Sequence, residues 1–190
     1  MTKIVLASTS PRRKQILEQI GCKFSVLNVD VDEIADSDIS ARHVATTNAV
    51  AKAQAAWAVT ADDEVVISAD TIVVLDGEIF GKPLDDQDAV NILKRLSGRT
   101  HQVITAVAIA SRHGIISDVC STQVEFVQLT NYEIDKYIAT GEPFDKAGAY
   151  GIQGYGALFV RSVNGCYFNV MGLPIVLTRN LLQRAGVEIF

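Results

Sequence analysis

The turn after the first predicted strand combines residue types that bind an anionic group. In the segment LASTSPRRKQILEQIG, Ser10 offers an N-cap hydroxyl and Pro11 suits the first position of a helix. Arg12, Arg13 and Lys14 then fall in the first helical turn. A helix N-terminus carries about half a positive charge and normally attracts Asp or Glu, so cations there cost about 0.3 to 1 kcal/mol each. We expect an anionic ligand to offset this cost.

The same turn lacks the glycine patterns that commonly bind phosphate. Loops between a first strand and a helix often hold phosphate, because free N–H groups and the helix dipole face the ligand there. Here the turn reads Ser-Thr-Ser-Pro, so it is neither a Walker loop nor a dinucleotide-binding fingerprint. Taken alone, the basic turn is explained equally well by a solvated cationic surface.

Three charged residues further along the chain favour the ligand interpretation. Lys52 lies between alanines on a long predicted helix, one turn after Asn48. Asp70 follows the apolar run VVISA at the end of a predicted central strand, where ligands of α/β proteins tend to bind. Lys82 follows a predicted hairpin in FGKP. Each residue alone could be a solvated lysine or a turn-forming aspartate.

Together these residues form a set suited to a metal-bound polyphosphate. The set comprises Arg12, Arg13, Lys52, Lys82, Asp70 and Glu33, the last from the acidic loop DVDEIADSD, which also holds Asp36 and Asp38. Phosphoryl chemistry needs cations on the phosphate oxygens, a divalent metal held by carboxylates, and a group that orients or deprotonates the nucleophile. The set contains candidates for all three tasks.

Composition limits the classes of protein and partner. The chain has 190 residues, 48% of them hydrophobic, and a formal net charge of −5, so we expect a full core and no nucleic-acid partner. No apolar stretch reaches the roughly 18 residues of a membrane span, and the N-terminus leads directly into a strand, so we expect a soluble cytoplasmic protein without a membrane partner. Cys22, Cys120 and Cys166 show no C-x-x-C spacing and are expected to be free thiols.

Interleaved strands and helices predict an α/β fold with a mixed sheet. The length suits one domain or two small lobes that share a cleft. The hydrophobic pattern predicts strands at 3–7, 24–27, 65–69, 71–75, 78–80, 101–111 and 115–127, and one ending near Val163. It predicts helices at 11–20, 41–59, 85–96, 130–140 and 173–185, the last with Pro174 in its first turn. Asp76-Gly77 predicts a tight hairpin turn.

Five segments occur in an order typical of one protein family: LASTSPRRKQIL, ADTIVVLDGEIFGKP, LSGRTHQVITAVAI, DKAGAYGIQG and NVMGLP. They resemble the Maf family of nucleotide pyrophosphatases, also called septum formation inhibitor proteins. The resemblance implies an elongated α/β fold similar to inosine triphosphate pyrophosphatases, with residues 1–190 as a single domain of two lobes around a central cleft. It also implies hydrolysis of a nucleoside triphosphate between the α and β phosphates with a divalent metal (Mg, Mn or Co).

The resemblance assigns a role to each matching residue. It implies that Asp70 is the proton acceptor and that Glu33, with Asp70, is linked to the metal. The residues that it implies for holding the substrate phosphates are Ser8, Arg12, Arg13, Lys52 and Lys82. The substrate triphosphate is then the anion expected at the basic turn.

Three positions look like the dTTP/UTP subfamily rather than the 7-methyl-GTP subfamily: Arg12, Thr71 and Gln153. A neutral carboxamide suits a pyrimidine, because it can donate to O2 or O4 and accept from N3–H. We expect Gly151 and Gly154 to let the backbone beside Gln153 approach a ligand closely.

Other functions and site residues stay open at this point. The main hypothesis is a dTTP/UTP pyrophosphatase that serves nucleotide-pool housekeeping, with a link to cell-division arrest. The alternative is a nucleotide-binding regulator of septum formation with little catalytic role, although Asp70 beside a triphosphate suits a hydrolase better. The missing Walker loop disfavours an ATP-using kinase or ligase. A homodimer is neither indicated nor excluded.

The remaining candidates have ordinary explanations. We expect structural or surface roles for His43 and His101, since neither has a partner at metal-ligand spacing. Tyr150 and Tyr155 could stack on a base or pack in the core.

Overall fold

A mixed sheet with helices on both faces forms the centre of the molecule. The computed structural model describes residues 3–34 and 39–189, so Asp36 and Asp38 of the predicted acidic loop lie outside the described residues. The strands are β1 (Lys3–Ala7), β2 (Phe24–Leu27), β3 (Glu64–Leu75), β4 (Glu78–Phe80), β5 (Thr100–Ser111), β6 (Gly114–Phe126) and β7 (Val160–Asn164). The helices are α1 (Pro11–Gln19), α2 (Ala41–Trp57), α3 (Asp86–Leu96), α4 (Asn131–Ile138), α5 (Tyr167–Met171) and α6 (Ile175–Arg184). Short 3-10 segments cover Glu142–Asp145, Ala147–Ala149 and Gly154–Phe159. Within the described ranges, no helix combines the length and the apolar character needed to cross a membrane.

The strands lie in the order β2-β1-β3-β5-β6-β7, and β4 pairs with β3. β1 runs parallel to β2 and β3, whereas β3, β5, β6 and β7 are antiparallel neighbours. Asp76 and Gly77 both have positive φ, 52° and 84°, in the two-residue turn between β3 and β4, which confirms the predicted hairpin. The mixed α/β sheet agrees with the predicted fold class.

One edge of β3 contains a gap. β1 pairs with this edge as far as Ser68, and β4 pairs with it from Val73 onward. In the described part of the chain no strand pairs with residues 69–72 here, while β5 pairs with residues 66–74 along the opposite edge. Because successive side chains of a strand point to opposite faces, Asp70 and Thr71 project to different sides of the sheet at the gap.

Helix α2 lies close against one face of the sheet. Its buried residues include Ala45, Ala49, Ala53 and Ala56, each 0% exposed, and they pack in one cluster with alanines of β5. Small side chains on both surfaces allow a close approach of helix and sheet. This contact brings the neighbouring polar residues of α2 next to β3.

Two further hydrophobic cores lie on either side of the gap, and each forms the centre of one lobe of the molecule. On the sheet face opposite α2, α1 and α6 pack against β1, β3 and β5 through residues such as Ile16, Leu17, Leu181 and Leu182. Beyond the gap, α3 and α4 pack on the far ends of β3, β5 and β6 around Phe126 and its neighbours. The gap in β3 therefore lies between the two lobes.

Several predicted details are wrong. Residues 64–75 form one continuous strand rather than two, so Asp70 lies inside a strand and not at its end. Ser10 occupies the N-cap position of α1, but its side chain makes no capping hydrogen bond. Pro174 precedes α6 as its N-cap instead of lying in its first turn.

Helix α5 was not predicted from the sequence. It has five residues, which is too short for a helical periodicity to be visible, and Gly172 with φ of 105° ends it.

Candidate active site

Asp70 carries a carboxylate into the middle of β3, at the gap in the sheet. It is 6% exposed, and both of its oxygens have partners on α2. Lys52 Nζ donates to Oδ1 at 2.7 Å, and Asn48 Nδ2 donates to Oδ2 at 3.2 Å. Burying a carboxylate is costly unless it is paired and hydrogen-bonded. These two contacts explain how a charged residue is accommodated inside a strand.

Lys52 also joins Asp70 to the acidic loop. Its Nζ lies 2.6 Å from Glu33 Oε1, which is on a half-exposed side chain. Asn48 fixes the same loop, because Ile34 N–H donates to its Oδ1 at 2.9 Å and its Nδ2 donates to Ile34 O at 3.1 Å. Asn48 and Lys52 are four residues apart and share one face of α2. One helix face therefore positions both carboxylates.

The carboxylates of Glu33 and Asp70 are suited to a divalent cation. Within the described residues, no group of three or more His, Cys, Asp or Glu side chains forms a metal site. However, Glu33 Oε1 and Asp70 Oδ1 both lie within 2.7 Å of the same cationic atom, Lys52 Nζ. Mg²⁺ in phosphate-binding sites commonly takes one or two protein carboxylates, with phosphate and water oxygens completing its shell. The donor set fits that mode of binding.

A cavity of about 530 Å³ opens at the gap between the lobes. The predicted site residues that line it are Ser8, Arg12, Arg13, Glu33, Lys52, Asp70, Thr71 and Lys82. Gln153 is exposed and is not part of this lining. The structure thus brings together every predicted site residue except Gln153.

Positive charge is concentrated on the wall of the cavity formed by α1. The first turn of α1 contains no acidic residue, and the helix begins at the cavity with Pro11 and Arg12. Arg12 is half-buried, and its Nε has no hydrogen-bond partner among the described residues. Lys82 is exposed on the opposite rim. A helix N-terminus with these cations favours an anion despite the net charge of −5.

Arg13 organises the wall between α1 and β3. Its Nε donates to Gly172 O at 2.8 Å, and its terminal nitrogens donate to Ser8 Oγ and Thr71 Oγ1, both at 3.1 Å. Burial lowers the pKa of the Arg13 guanidinium, and the negative charge of Asp70 opposes that shift. Three of its N–H groups are thus directed at protein atoms, while its role toward phosphate stays a prediction.

Gln153 lies in a loop whose glycines make room for protein side chains. A Cβ atom on Gly151 would lie 2.8 Å from Lys146 Cε and 3.2 Å from a terminal nitrogen of Arg12. A Cβ atom on Gly154, which has φ of 69°, would lie 2.6 Å from Glu142 Oε2. The absence of side chains at these two glycines is thus required by neighbouring protein side chains, and the expectation that they also let a ligand approach stays a prediction. The specificity role of Gln153 stays a prediction.

Glu142 holds this loop in place. It accepts hydrogen bonds from the backbone N–H groups of Tyr155 at 2.9 Å and Gly156 at 3.1 Å, and from Tyr137 Oη at 3.0 Å. Burial raises the pKa of Tyr137, with the charge of Glu142 adding to the shift, so Tyr137 stays protonated and donates. The loop that carries Gln153 is thereby tied to α4.

His101 is a structural residue, as predicted. It is 2% exposed, its Nε2 lies 2.8 Å from Tyr150 Oη, and its ring meets Phe126 edge to face at 4.9 Å. Burial lowers the pKa of His101 to about 4. Tyr150 is buried beside it and also lines the cavity. The imidazole is therefore neutral in the folded protein at neutral pH.

Sequence reasoning missed the residues that position the cavity lining. Asn48 precedes Lys52 by one helical turn, and Thr105 and Asn169 are isolated polar residues, so their types and spacing alone predict no role. Thr105 Oγ1 lies 2.9 Å from Thr71 Oγ1 and donates to Asn169 O at 2.9 Å. Both lie in segments that carry the family resemblance, LSGRTHQVITAVAI and NVMGLP. Polar residues inside apolar runs were the available signal.

Known proteins are similar to this chain over nearly its whole length. The family described as Maf-like protein matches residues 3–185. A dTTP/UTP pyrophosphatase of Shigella dysenteriae serotype 1 is 48% identical over 183 residues, covering 96% of this chain and 93% of that protein. A dTTP/UTP pyrophosphatase of Pectobacterium atrosepticum is 49% identical with the same coverage. The Ham1 protein of Staphylococcus aureus has a similar fold, with a TM-score of 0.51 and 15% identity over 98% of this chain and 91% of that chain. The chain belongs to the family of Maf-like proteins.

Proposed function

We propose that this protein is a nucleoside triphosphate pyrophosphatase that hydrolyses dTTP and UTP to the monophosphate and pyrophosphate. Two relatives that are 48% and 49% identical are named dTTP/UTP pyrophosphatases. Residues 1–190 would act as one catalytic domain on the nucleotide pool of the cytoplasm. The nucleoside triphosphate substrate would be the main binding partner of the protein.

One observation carries the proposal: a buried carboxylate lies beside a cavity that is lined with cations. Asp70 is held by Lys52 and Asn48 at the gap in β3, and the surrounding walls carry Arg12 and Lys82. A protein that only bound a triphosphate would gain little from the Asp70 carboxylate itself, because like charges repel. A hydrolase needs a carboxylate in that position to accept a proton from water.

Each of the chain's own groups has a defined task in this proposal. Asp70 accepts a proton from the attacking water, and Lys52 keeps the carboxylate oriented through its 2.7 Å contact with Oδ1. Arg12, Lys82, Ser8 and the N-terminus of α1 bind phosphate oxygens and stabilise charge that develops during transfer. The fixed donors hold the triphosphate in one orientation relative to Asp70.

A divalent cation such as Mg²⁺ would be held by Glu33 and Asp70. When bound, it would supply charge stabilisation on the phosphate oxygens. The names of the two similar pyrophosphatases state a reaction and no metal. The preferred metal is therefore part of the proposal.

Base preference is assigned to Thr71, Arg12 and Gln153. Thr71 and Asp70 project from opposite faces of β3 at the gap, so they can contact different parts of one nucleotide. A site that pairs defined polar edges rejects other bases, since a mismatched base leaves the site's own polar groups unpaired. This is the basis for preferring dTTP and UTP.

A panel of nucleoside triphosphates tests the proposal. Pyrophosphate release is measured with Mg²⁺ or Mn²⁺ for dTTP, UTP, dCTP, ATP, GTP and 7-methyl-GTP. We expect the largest kcat/KM for dTTP and UTP. A larger kcat/KM for 7-methyl-GTP would contradict the base preference but not the reaction, whereas tight dTTP binding without turnover would favour the nucleotide-binding regulator.

A further inference from the structure

A chain of hydrogen bonds runs behind Thr71, away from the cavity. Arg13 donates from a terminal nitrogen to Thr71 Oγ1 at 3.1 Å, Thr71 Oγ1 lies 2.9 Å from Thr105 Oγ1, and Thr105 Oγ1 donates to Asn169 O at 2.9 Å. Thr105 and Asn169 are both 0% exposed. Thr71 lines the cavity, whereas Thr105 does not. This series of hydrogen bonds therefore connects Thr71, which can contact a ligand, to Thr105 and Asn169, which are buried away from the cavity.

The donor and the acceptor at the two ends of this series fix which group donates in each hydrogen bond. A guanidinium can only donate, and a backbone carbonyl can only accept. The single hydroxyl proton of Thr105 is used on Asn169 O, so Thr105 must accept from Thr71. Thr71 consequently donates its only proton to Thr105 and accepts from Arg13.

These contacts limit the hydrogen bonds that Thr71 can still make on the cavity side. A hydroxyl oxygen has two lone pairs and one proton. The proton and one lone pair are used within the chain, and the remaining lone pair has no further partner among the described residues. Toward a ligand, Thr71 is therefore an acceptor and not a donor.

We propose that Thr105 is a positioning residue for base selection, because it accepts the hydrogen bond that the Thr71 hydroxyl donates and so leaves Thr71 as an acceptor for a base N–H group. The inference rests on the proposed function. The base class selected is one with an imino N3–H, which thymine and uracil have. Cytosine presents a lone pair at N3 and would face the lone pair of Thr71.

The same polarity decides which part of the nucleotide Thr71 contacts. A phosphate oxygen also presents lone pairs, so a hydroxyl that cannot donate is poorly suited to phosphate. Asp70, on the opposite face of β3, lies with Lys52 and Glu33 at the carboxylates proposed to hold the divalent cation. A base N–H group at Thr71 therefore agrees with the acceptor-only hydroxyl of Thr71 and with the position of Asp70 on the other face of β3.

Thr105→Val tests the role of Thr105. Valine keeps the shape of threonine but cannot accept a hydrogen bond, so the Thr71 hydroxyl becomes free to donate to cytosine N3. The wild-type enzyme is expected to prefer dTTP over dCTP, and the variant to reduce the ratio of their kcat/KM values about tenfold, the effect of about one hydrogen bond. Thr105→Ser retains the hydroxyl and is expected to restore the ratio.

Thr178→Val is the matched control. Thr178 is 2% exposed and donates to Pro174 O within α6, and it does not line the cavity. Its replacement is expected to leave the dTTP to dCTP ratio unchanged. A purely structural role of Thr105 would lower turnover of both nucleotides equally, with the ratio preserved, and that result would overturn the inference.

N3-methyl-dTTP provides a test that requires no variant. Methylation removes the N3–H group, so the wild-type enzyme is expected to lose at least tenfold in kcat/KM relative to dTTP. Equal hydrolysis of both would show that no contact with N3–H contributes, and it would overturn the inference while leaving the reaction intact. Absence of pyrophosphate release from dTTP itself would overturn the proposed function, and this inference with it.

Discussion

Asp70 is buried as a charged residue only because α2 provides partners for both of its oxygens. Asp70→Asn keeps the shape of the side chain and removes its ability to accept a proton. We expect the variant to fold and to lose about 10² to 10⁴ in turnover, the usual contribution of a general base. Pyrophosphate release and a thermal melt measure the two properties separately.

The control for this prediction is an aspartate on the same sheet. Asp118 on β6 is exposed, and its Oδ1 accepts a hydrogen bond from the adjacent backbone N–H of Val119. Asp118→Asn is expected to retain wild-type turnover. If Asp70→Asn and Asp118→Asn are equally active, Asp70 is not the proton acceptor.

His101 makes the stability of the fold depend on pH. Its pKa of about 4 in the folded protein lies below the ordinary value of 6.5, so the unfolded chain binds the proton more tightly. Stability attributable to His101 is therefore complete above pH 6.5 and is lost as the pH falls toward 4. This linkage is worth about 2 kcal/mol between pH 7.5 and pH 5.

Urea unfolding at these two pH values measures the contribution of His101. His101→Gln is expected to be less stable than wild type at pH 7.5 but to lose about 2 kcal/mol less on going to pH 5. His113→Gln is the control, since His113 is exposed in the turn between β5 and β6. The same pH dependence in wild type and His101→Gln would rule out this source of acid sensitivity.

The 3-10 segment Ala147–Ala149 packs in the core around Phe126 and contacts the end of the β3–β4 hairpin. Gly148 has φ of 70°, and its N–H donates to Gly81 O at 2.9 Å. A Cβ atom at this position would lie 2.7 Å from Val73 Cγ2. Ala147 and Gly81 both line the cavity, so this contact helps to set the width of the cavity.

Gly148→Ala is expected to destabilise the protein by about 2 to 4 kcal/mol, from left-handed backbone strain and from overpacking against Val73. Gly186→Ala separates the two causes, because Gly186 has φ of 79° with no atom within 4 Å of its Cβ position. That control should lose only about 1 to 2 kcal/mol. Equal losses in urea unfolding would mean that contact with Val73 contributes nothing.

Elements with a strong local signal could be predicted, and those that depend on distant partners could not. β1 and β2 have the predicted bounds, because short apolar runs between polar turns define them locally. β3 was divided at Asp70, since a lone aspartate normally ends a strand. The structure keeps the strand intact because Asn48 and Lys52, about 20 residues earlier, bind that carboxylate.

The same distinction applies to the candidate site. Charged residues such as Lys52 and Lys82 are conspicuous in the sequence, so their presence in one cavity could be anticipated. Thr105 and Asn169 are ordinary polar residues in the sequence. Their importance depends on contacts between distant residues: Thr105 lies 34 residues from Thr71, and Asn169 lies 64 residues from Thr105. Gln153 was assigned by resemblance, and its exposed position outside the lining could not be foreseen from composition or spacing.

At the scale of the whole molecule, the site exists because the sheet is interrupted between two lobes. β1 ends at Ala7 and β4 begins pairing at Val73, so the intervening part of β3 is open to a ligand from its edge. The chain as a whole is acidic, and cations are concentrated at this opening. The arrangement favours a small, highly charged anion that can enter the gap and reach both faces of β3.

The position of bond cleavage tests the central claim most directly. Phosphorus NMR of dTTP incubated with the wild-type protein and Mg²⁺ is predicted to show dTMP and pyrophosphate in equal amounts, with neither formed at a comparable rate by Asp70→Asn. Formation of dTDP and orthophosphate would contradict the account, because it would place the attack at the terminal phosphate. Unchanged dTTP under the same conditions would contradict it as well.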